Sequence, residues 1–363
     1  MKSFIDLRAT LARQPPRLGA RLARIDTGRG REQMYRDQIP ELLLGLAEQT
    51  RVASITASNA IEGVVVESDR VEKLVRAEPS RFRNRNEREF AGYRDAIDGL
   101  MRQEEPEAIS IALILHLHRQ LLGHVDGGGG QLKTDQNLIV SYRGGERTVL
   151  FTPTSPEETP FALGELVERY TAAATSEEAH PVILIGLFVL DFLAIHPVAD
   201  GNGRLARLVT SHLLNSQGYG IARYVSLEQR VLDTKDAYYQ ALLDSQRSWH
   251  EATHDPWPWL EYLVQVVADC YSLFEQRMAG AASAGASKQE RVRGFVLDQA
   301  RPEFRIADIR RALPGVSDQT IRLVLSALRD EGAIVSTGGG PGARWRRLAG
   351  ASPASSQAQN RGG

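Results

Sequence analysis

The stretch His196-Pro197-Val198-Ala199-Asp200-Gly201-Asn202-Gly203-Arg204-Leu205-Ala206-Arg207 decides how this chain is read. An apolar segment with helical spacing, Pro181 to Ile195, runs into it. Pro197 disfavours helix at the residue before it. Asp200-Gly201-Asn202-Gly203 is a turn cluster, and a second helix is expected over Gly203 to Gln217. The first turn of a helix has unpaired backbone N–H groups and the positive end of the dipole, so it suits an anion. Gly201 and Gly203 let the backbone approach a ligand closely. Arg204 and Arg207 are three apart, share a helix face and can both reach phosphate oxygens. Asp200 is acidic where all else favours anions, which makes sense if it holds a divalent cation bridging phosphates. His196 stands at the loop entrance, where a general base could take a proton from a hydroxyl. The same residues also describe a plain Gly-Asn-Gly turn with Asp200 as a helix cap and the arginines solvated. Spacing alone leaves both open and names no reaction.

Outward from this loop the chain reads as mostly helical. Apolar residues recur at helical spacing in Ile39 to Ala57, Arg85 to Met101, Ile109 to Leu122 and Phe161 to Ala174. Further helices are expected at Thr234 to Gln246, at Pro258 to Met278, and three times after Lys288. Strand signals are short: Asn137 to Val140, Thr148 to Phe151, Ile334 to Thr337 and Arg344 to Arg347. The small-residue run at 279–287 reads as a linker. A softer boundary falls near Glu104-Glu105-Pro106, and the tail at 350–363 has a disordered composition.

The chain has 363 residues, which predicts two or three domains. With 42% apolar and 25% charged residues and a formal net charge of −1, bulk composition gives no bias toward nucleic acid or membrane. The single cysteine, Cys270, excludes an internal disulfide and reads as a buried small hydrophobe. The N-terminal ten residues do not look like a secretory signal, and Val182 to Ile195, interrupted by Asp191, is too short to span a bilayer. The expected location is the cytoplasm, with no membrane partner. No Gly-x-x-x-x-Gly-Lys-Ser/Thr run is present, which disfavours a P-loop kinase.

The loop resembles the signature of the Fic family, His-Pro-Phe-x-Asp/Glu-Gly-Asn-Gly-Arg-x-x-Arg, at every fixed position except Val198, which stands where the family has Phe. The likeness to the family's architecture extends over most of residues 30 to 275. It implies a Fic-type helical core with a small β-hairpin flap, and transfer of AMP from ATP to a Ser, Thr or Tyr hydroxyl of a protein. In that reading His196 activates the hydroxyl and Asp200 positions Mg²⁺. The backbone of Gly201 to Gly203 and the Asn202 side chain hold phosphates, and Arg204 and Arg207 neutralise the leaving pyrophosphate. Leu205 and Ala206 count with the ATP-binding residues. Valine fills less volume than phenylalanine, so the loop is expected to be less firmly anchored.

Three further segments take meaning from the same resemblance. The run after Gly127-Gly128-Gly129-Gly130 looks like the family's flap, which pairs with the target and covers the nucleotide, with Ile139, Val140, Ser141 and Tyr142 near ATP. Tyr238 and Tyr239 are similar to a tyrosine pair lining the nucleotide pocket, and Gln246 stands near the place of an adenine-contacting Asn. Ser58-Asn59-Ala60-Ile61-Glu62-Gly63 fits the family's inhibitory pattern. Ser58 and Glu62, four apart, face the same way on a helix that Gly63 can end, and Glu62 would reach Arg207. A homodimer is a family-level expectation.

The last segment concentrates positive charge. From Lys288 to Arg347, Lys plus Arg number 12 against 7 Asp plus Glu. Three helices and a hairpin resemble a winged helix-turn-helix, with Gln319, Thr320 and Arg322 facing DNA bases and Arg344, Arg346 and Arg347 on phosphate. The same fold also serves protein interaction. The expected order is therefore 1–105 N-terminal helical region, 106–278 catalytic core, 279–287 linker, 288–349 winged helix and 350–363 tail. An autoinhibited AMP transferase that also modifies itself is the leading reading. Alternatives are a DNA-associated regulator whose core senses nucleotide, and removal of AMP from a modified target.

Overall fold

The computed structural model describes residues 1–348 apart from 79–80, 104, 144–145, 286–287, 301–302, 314–315 and 338–343. The expected tail at 350–363 lies outside the described residues. Among them the chain is mostly helical with small β-sheets, and no helix is long and apolar enough to cross a membrane.

The centre of the first unit is the helix Pro181–Ile195, buried at every position from Val182 onward. A helix apolar all round belongs inside, and here others surround it. The helices Thr159–Ser176, Asn202–Ser216 and Lys235–Gln246 pack on it, and Ile111–Leu121 packs in turn on Asn202–Ser216 and on Arg85–Arg102. Pro40–Ile61 lies against Arg85–Arg102 and the short helix Leu227–Asp233. Cys270 is buried in Trp257–Gly285.

One long helix went unread in the sequence. Pro16–Gln38 buries Leu18, Leu22, Ile25, Gly28 and Glu32, a helical stripe diluted by arginines and glycines. Gly28 is required, since a Cβ there would lie 2.5 Å from the Tyr271 ring, and the Tyr271 hydroxyl donates to Glu32 at 3.0 Å. Ser68–Val75 and Leu227–Asp233 also escaped the pattern because they are short.

The flap is an antiparallel pair, Ile139–Arg143 with Glu146–Phe151, irregular between Ile139 and Val140. It starts two residues later than expected because Asn137 is engaged elsewhere. Phe151 stacks on His250 and meets Trp249 edge-on, which seats the outer strand.

The chain divides into two compact units, Met1–Glu275 and Gln276–Gly363. The run at 279–287, expected as a linker, is helical through Gly285, where Trp257–Gly285 ends. Alanine, the best helix former, supplies much of it. Residues 286–287 lie outside the described residues.

The second unit has helices Lys288–Gly294, Ile306–Ala312 and Asp318–Asp330 and a three-stranded antiparallel sheet. Arg344–Arg347 lies in the middle, between Glu303–Arg305 and Ile334–Thr337. The strand Glu303–Arg305 was not expected; at three residues it carries almost no pattern. Val292, Val296, Phe304, Ile309, Ile321, Val324, Leu325 and Ile334 form its core.

Candidate active site

The helix Pro181–Ile195 ends where His196 turns left-handed, at φ 53° and ψ 61°. A non-glycine residue there is strained by about 1–3 kcal/mol and persists only where its surroundings hold it. The His196 Nδ1–H donates to the Leu193 carbonyl at 3.2 Å. A carbonyl can only accept, so the neutral ring keeps its proton on Nδ1 and leaves the Nε2 lone pair for a base's work. Burial pushes the imidazole down to about 4, with the Lys133 cation adding to this and the Leu193 carbonyl and Glu62 opposing it. His196 is therefore neutral at ordinary pH.

After His196 the loop is closed on itself by Asn202. Its Oδ1 accepts from Val198 N at 3.0 Å and its Nδ2 donates to Val198 O at 2.6 Å. Both ends of its amide shape the loop. Gly201, at φ 84°, caps the helix Asn202–Ser216, whose first turn presents the backbone N–H groups expected there. Val198 is fully buried.

Residues outside the motif hold this loop, and the sequence did not mark them. Lys133 donates from Nζ to Ile195 O at 2.9 Å and to Asn137 Oδ1 at 3.0 Å, and from its backbone N to Pro197 O at 2.9 Å. Asn137 Nδ2 donates to His196 O at 3.3 Å and to Val198 O at 3.0 Å. His118 accepts from Gly130 N at 2.9 Å and donates to Asp200 O at 3.1 Å. The expected glycine run is thus fastened to the loop through His118; a Cβ on Gly129 would collide with the His118 carbonyl.

The two arginines are buried and already paired. Arg204 Nη1 meets Glu89 Oε2 at 2.7 Å and Asn59 Oδ1 at 3.5 Å, and its Nε is buried without a partner. Arg207 Nε donates to Ser58 Oγ at 2.9 Å, and its Nη2 donates to Ser58 O and Glu62 Oε1, each at 2.9 Å; Nη1 is buried without a partner. Burial opposes the Arg207 charge, but the oxygens of Glu62, Tyr238 and Tyr93 outweigh it and its pKa is raised. The reading of both arginines on a solvated face is thereby overturned. Asp200, half exposed, pairs with Arg85 at 2.8 Å, and Arg85 also binds Glu89. Glu89 and Arg85 are the further residues that sequence reasoning missed.

Glu62 lies where the spacing placed it. Its helix, Pro40–Ile61, ends with Gly63 left-handed at φ 77°. The Glu62 carboxylate sits so close over Gly203 that a Cβ there would overlap it. Lys235 Nζ donates to Ile61 O at 2.6 Å and fixes the end of that helix.

The expected nucleotide wall is only partly open. Tyr238 is buried among Tyr239, Trp259 and Tyr262, while Tyr239 is 39% exposed. Gln246 is buried and forms no open wall in this structure. The cavity behind Arg207 and Tyr238, of about 30 Å³, is too small for a nucleotide base. Ile139, Val140 and Ser141 are half-buried on the inner flap strand; the Tyr142 side chain lies outside the described residues. Leu205 and Ala206 are buried in the core. Among the described residues no hydrogen bond joins 139–142 to the loop directly; Asn137 makes the connection.

Residues 108–214 match the model of the Fic/DOC family. Over 112 residues, 31% of the chain, it is 37% identical to protein adenylyltransferase Fic from Drosophila ananassae, covering 20% of that protein. The same identity and length hold for the Drosophila melanogaster protein of that name, 21% covered. The chain thus spans about a fifth of the length of these curated relatives. A Fic family protein from Desulfovibrio desulfuricans G20 superposes with a TM-score of 0.60 at 21% identity, over 94% of this chain and 98% of that one. A Fic domain containing signaling protein from Bacteroides thetaiotaomicron VPI-5482 gives 0.56 at 22% identity, over 70% and 95%. The family likeness is carried by residues 108–214, and the wider likeness is one of fold.

Proposed function

We propose that this protein transfers AMP from ATP to a Ser, Thr or Tyr hydroxyl of a protein, itself included, and that Glu62 holds it in check. The observation that carries the reading is a neutral His196, Nε2 lone pair free, at the mouth of a helix N-terminus backed by buried Arg204 and Arg207. The name carried by the fly relatives supports it. The hydroxyl oxygen attacks the α-phosphorus, the bond to the β-phosphate oxygen breaks, and pyrophosphate leaves. His196 Nε2 takes the hydroxyl proton. The N–H groups of residues 201–203 and the Arg207 guanidinium meet the phosphate charge, so the chemistry is positioning and electrostatics.

Mg²⁺ is the cation we assign to Asp200. Among the described residues no group of three His, Cys, Asp or Glu could cage a metal. A single half-exposed carboxylate fits an ion that draws its other ligands from phosphates and water. Bound there, it would neutralise phosphate charge.

In the resting arrangement Glu62 occupies the Arg207 edge that a nucleotide phosphate needs. This supports autoinhibition in cis. Removal of AMP from a modified target uses the same residues and remains the alternative direction. For the basic C-terminal unit we propose a winged-helix role on DNA. Gln319 and Arg322 are exposed on Asp318–Asp330, and Asp318, unfavourable near phosphate, is neutralised by Arg310 at 2.6 Å.

Intact-mass measurement after incubation with ATP and Mg²⁺ tests the central reading. A gain of one AMP is expected. No mass change in the wild type or in Glu62→Gly, with salt-dependent DNA binding intact, would favour the nucleotide-sensing regulator instead.

A further inference from the structure

We propose that Lys133 and Asn137 are positioning residues that grip the backbone of the catalytic loop and couple it to the flap. The proposal rests on the AMP-transfer reading for its kinetic test, but its geometry stands independently.

Four successive carbonyls are held by one short segment. Ile195 O accepts from Lys133 Nζ, His196 O from Asn137 Nδ2, Pro197 O from Lys133 N, and Val198 O from Asn137 Nδ2. These carbonyls lie at and just beyond the C-terminus of Pro181–Ile195, where a helix leaves acceptors unpaired and favours a cation. Lys133 is 4% exposed, so its ammonium is there for these bonds and not for solvent. Burial alone brings it down to about 8, and even neutral it keeps two N–H donors for its two acceptors.

The grip acts where the backbone is strained. His196 sits at φ 53° and ψ 61°, a conformation that must be over-determined to persist. Val198 is fully buried, and hydrogen bonds on both sides of His196 hold the backbone in place. Asn137 lies two residues before Ile139, the first residue of the flap. A target segment that seats the flap therefore pulls on the same side chain that holds the His196 and Val198 carbonyls. Docking at the flap and alignment of the histidine become one event.

The test uses Lys133→Met, Lys133→Arg and Asn137→Asp in the full-length Glu62→Gly background. Asn137→Asp keeps the volume and turns a donor into an acceptor facing two carbonyls. Lys133→Met and Asn137→Asp are expected to lower kcat by about ten- to a hundredfold, since small misplacements cost that much, with KM for ATP nearly unchanged. Lys133→Arg should recover most of the loss. Amide hydrogen exchange over residues 195–202 should speed up in the first two variants and not in Lys133→Arg. A rise in KM with kcat intact, an Arg variant no better than Met, or unaltered exchange would overturn the proposal. If Lys133→Met does not fold, Asn137→Asp decides. If the Glu62→Gly parent transfers no AMP, the AMP-transfer reading fails while exchange at 195–202 still judges the grip.

Discussion

The Glu62 carboxylate bonds Arg207 at 2.9 Å from a helix end that lies directly over Gly203. One side chain thus occupies both the buried guanidinium and the space above the first turn of Asn202–Ser216. Glu62→Gly should free both. Charge-assisted bonds to such a group are worth about 1.5–3 kcal/mol, so self-labelling with labelled ATP should rise roughly ten- to a hundredfold. Stability should fall by about 1–3 kcal/mol, because Arg207 stays buried with only Ser58 left to meet its charge. A folded Glu62→Gly protein that labels no better than wild type would remove the inhibitory role.

His196 gives the reaction a characteristic pH limb. Burial holds its pKa down near 4 from the ordinary 6.5. The base is deprotonated well into acid, so kcat/KM measured from pH 8 downward should stay flat on this account to about pH 5 and fall only below it. A limb centred near 6.5 would show an exposed imidazole instead. His196→Ala should lose roughly 10²–10⁴ in rate at any of these pH values. For stability the sign is that of a depressed group: the unfolded chain binds the proton first. The contribution is present above 6.5 and lost as pH falls toward 4, and His254, pushed down to about 4 by burial, acts in the same direction.

Asp200 has one cation beside it, and the proposed Mg²⁺ would be a second. Arg85 holds its Oδ2 at 2.8 Å in an exposed pair, and any bound Mg²⁺ must compete. An exposed pair is worth about 0.2–1 kcal/mol, so Arg85→Ala should lower the half-saturating Mn²⁺ or Mg²⁺ concentration by about two- to threefold in a direct binding titration with ATP present. Chelation should abolish labelling, and Asp200→Ala should raise the cation requirement. An Arg85→Ala protein with unaltered cation binding would mean that Asp200 is not the ligand.

What the sequence revealed follows from the range of the forces involved. Local signals were strong where one residue settles a conformation: Pro197 after His196 ended the helix at Ile195, and Gly63 ended Pro40–Ile61 at its predicted place. The Ser58 and Glu62 spacing placed both on Arg207 because a helix fixes that geometry. The grip of Lys133 on Ile195 crosses 62 positions of sequence and leaves no local trace. Glu89 looked like one charge among many on Arg85–Arg102 until Arg204 came against it. Pro16–Gln38 was missed since its buried face includes Gly28 and Glu32, which no apolar pattern counts.

Asp191 is the charge that the apolar helix could not hide, and it leads to the last prediction. It lies in the helix that ends at His196, fully buried, and accepts from Ser3 N at 3.1 Å, Ser3 Oγ at 2.6 Å and Trp249 Nε1 at 2.6 Å. Asp191→Ala would strand these buried donors and should cost about 2–4 kcal/mol in urea unfolding. Burial raises its pKa from 3.8 to about 6, against the pull of Ser3 and Trp249. A raised group binds its proton more tightly in the folded state. Its contribution is therefore fully present below 3.8 and is lost as pH rises through 6. Asp191→Asn does not titrate, so the advantage of wild type over that variant should be largest near pH 4 and shrink by pH 7. Equal gaps at both ends would show that Asp191 stays ionised throughout, and that its three donors outweigh its burial.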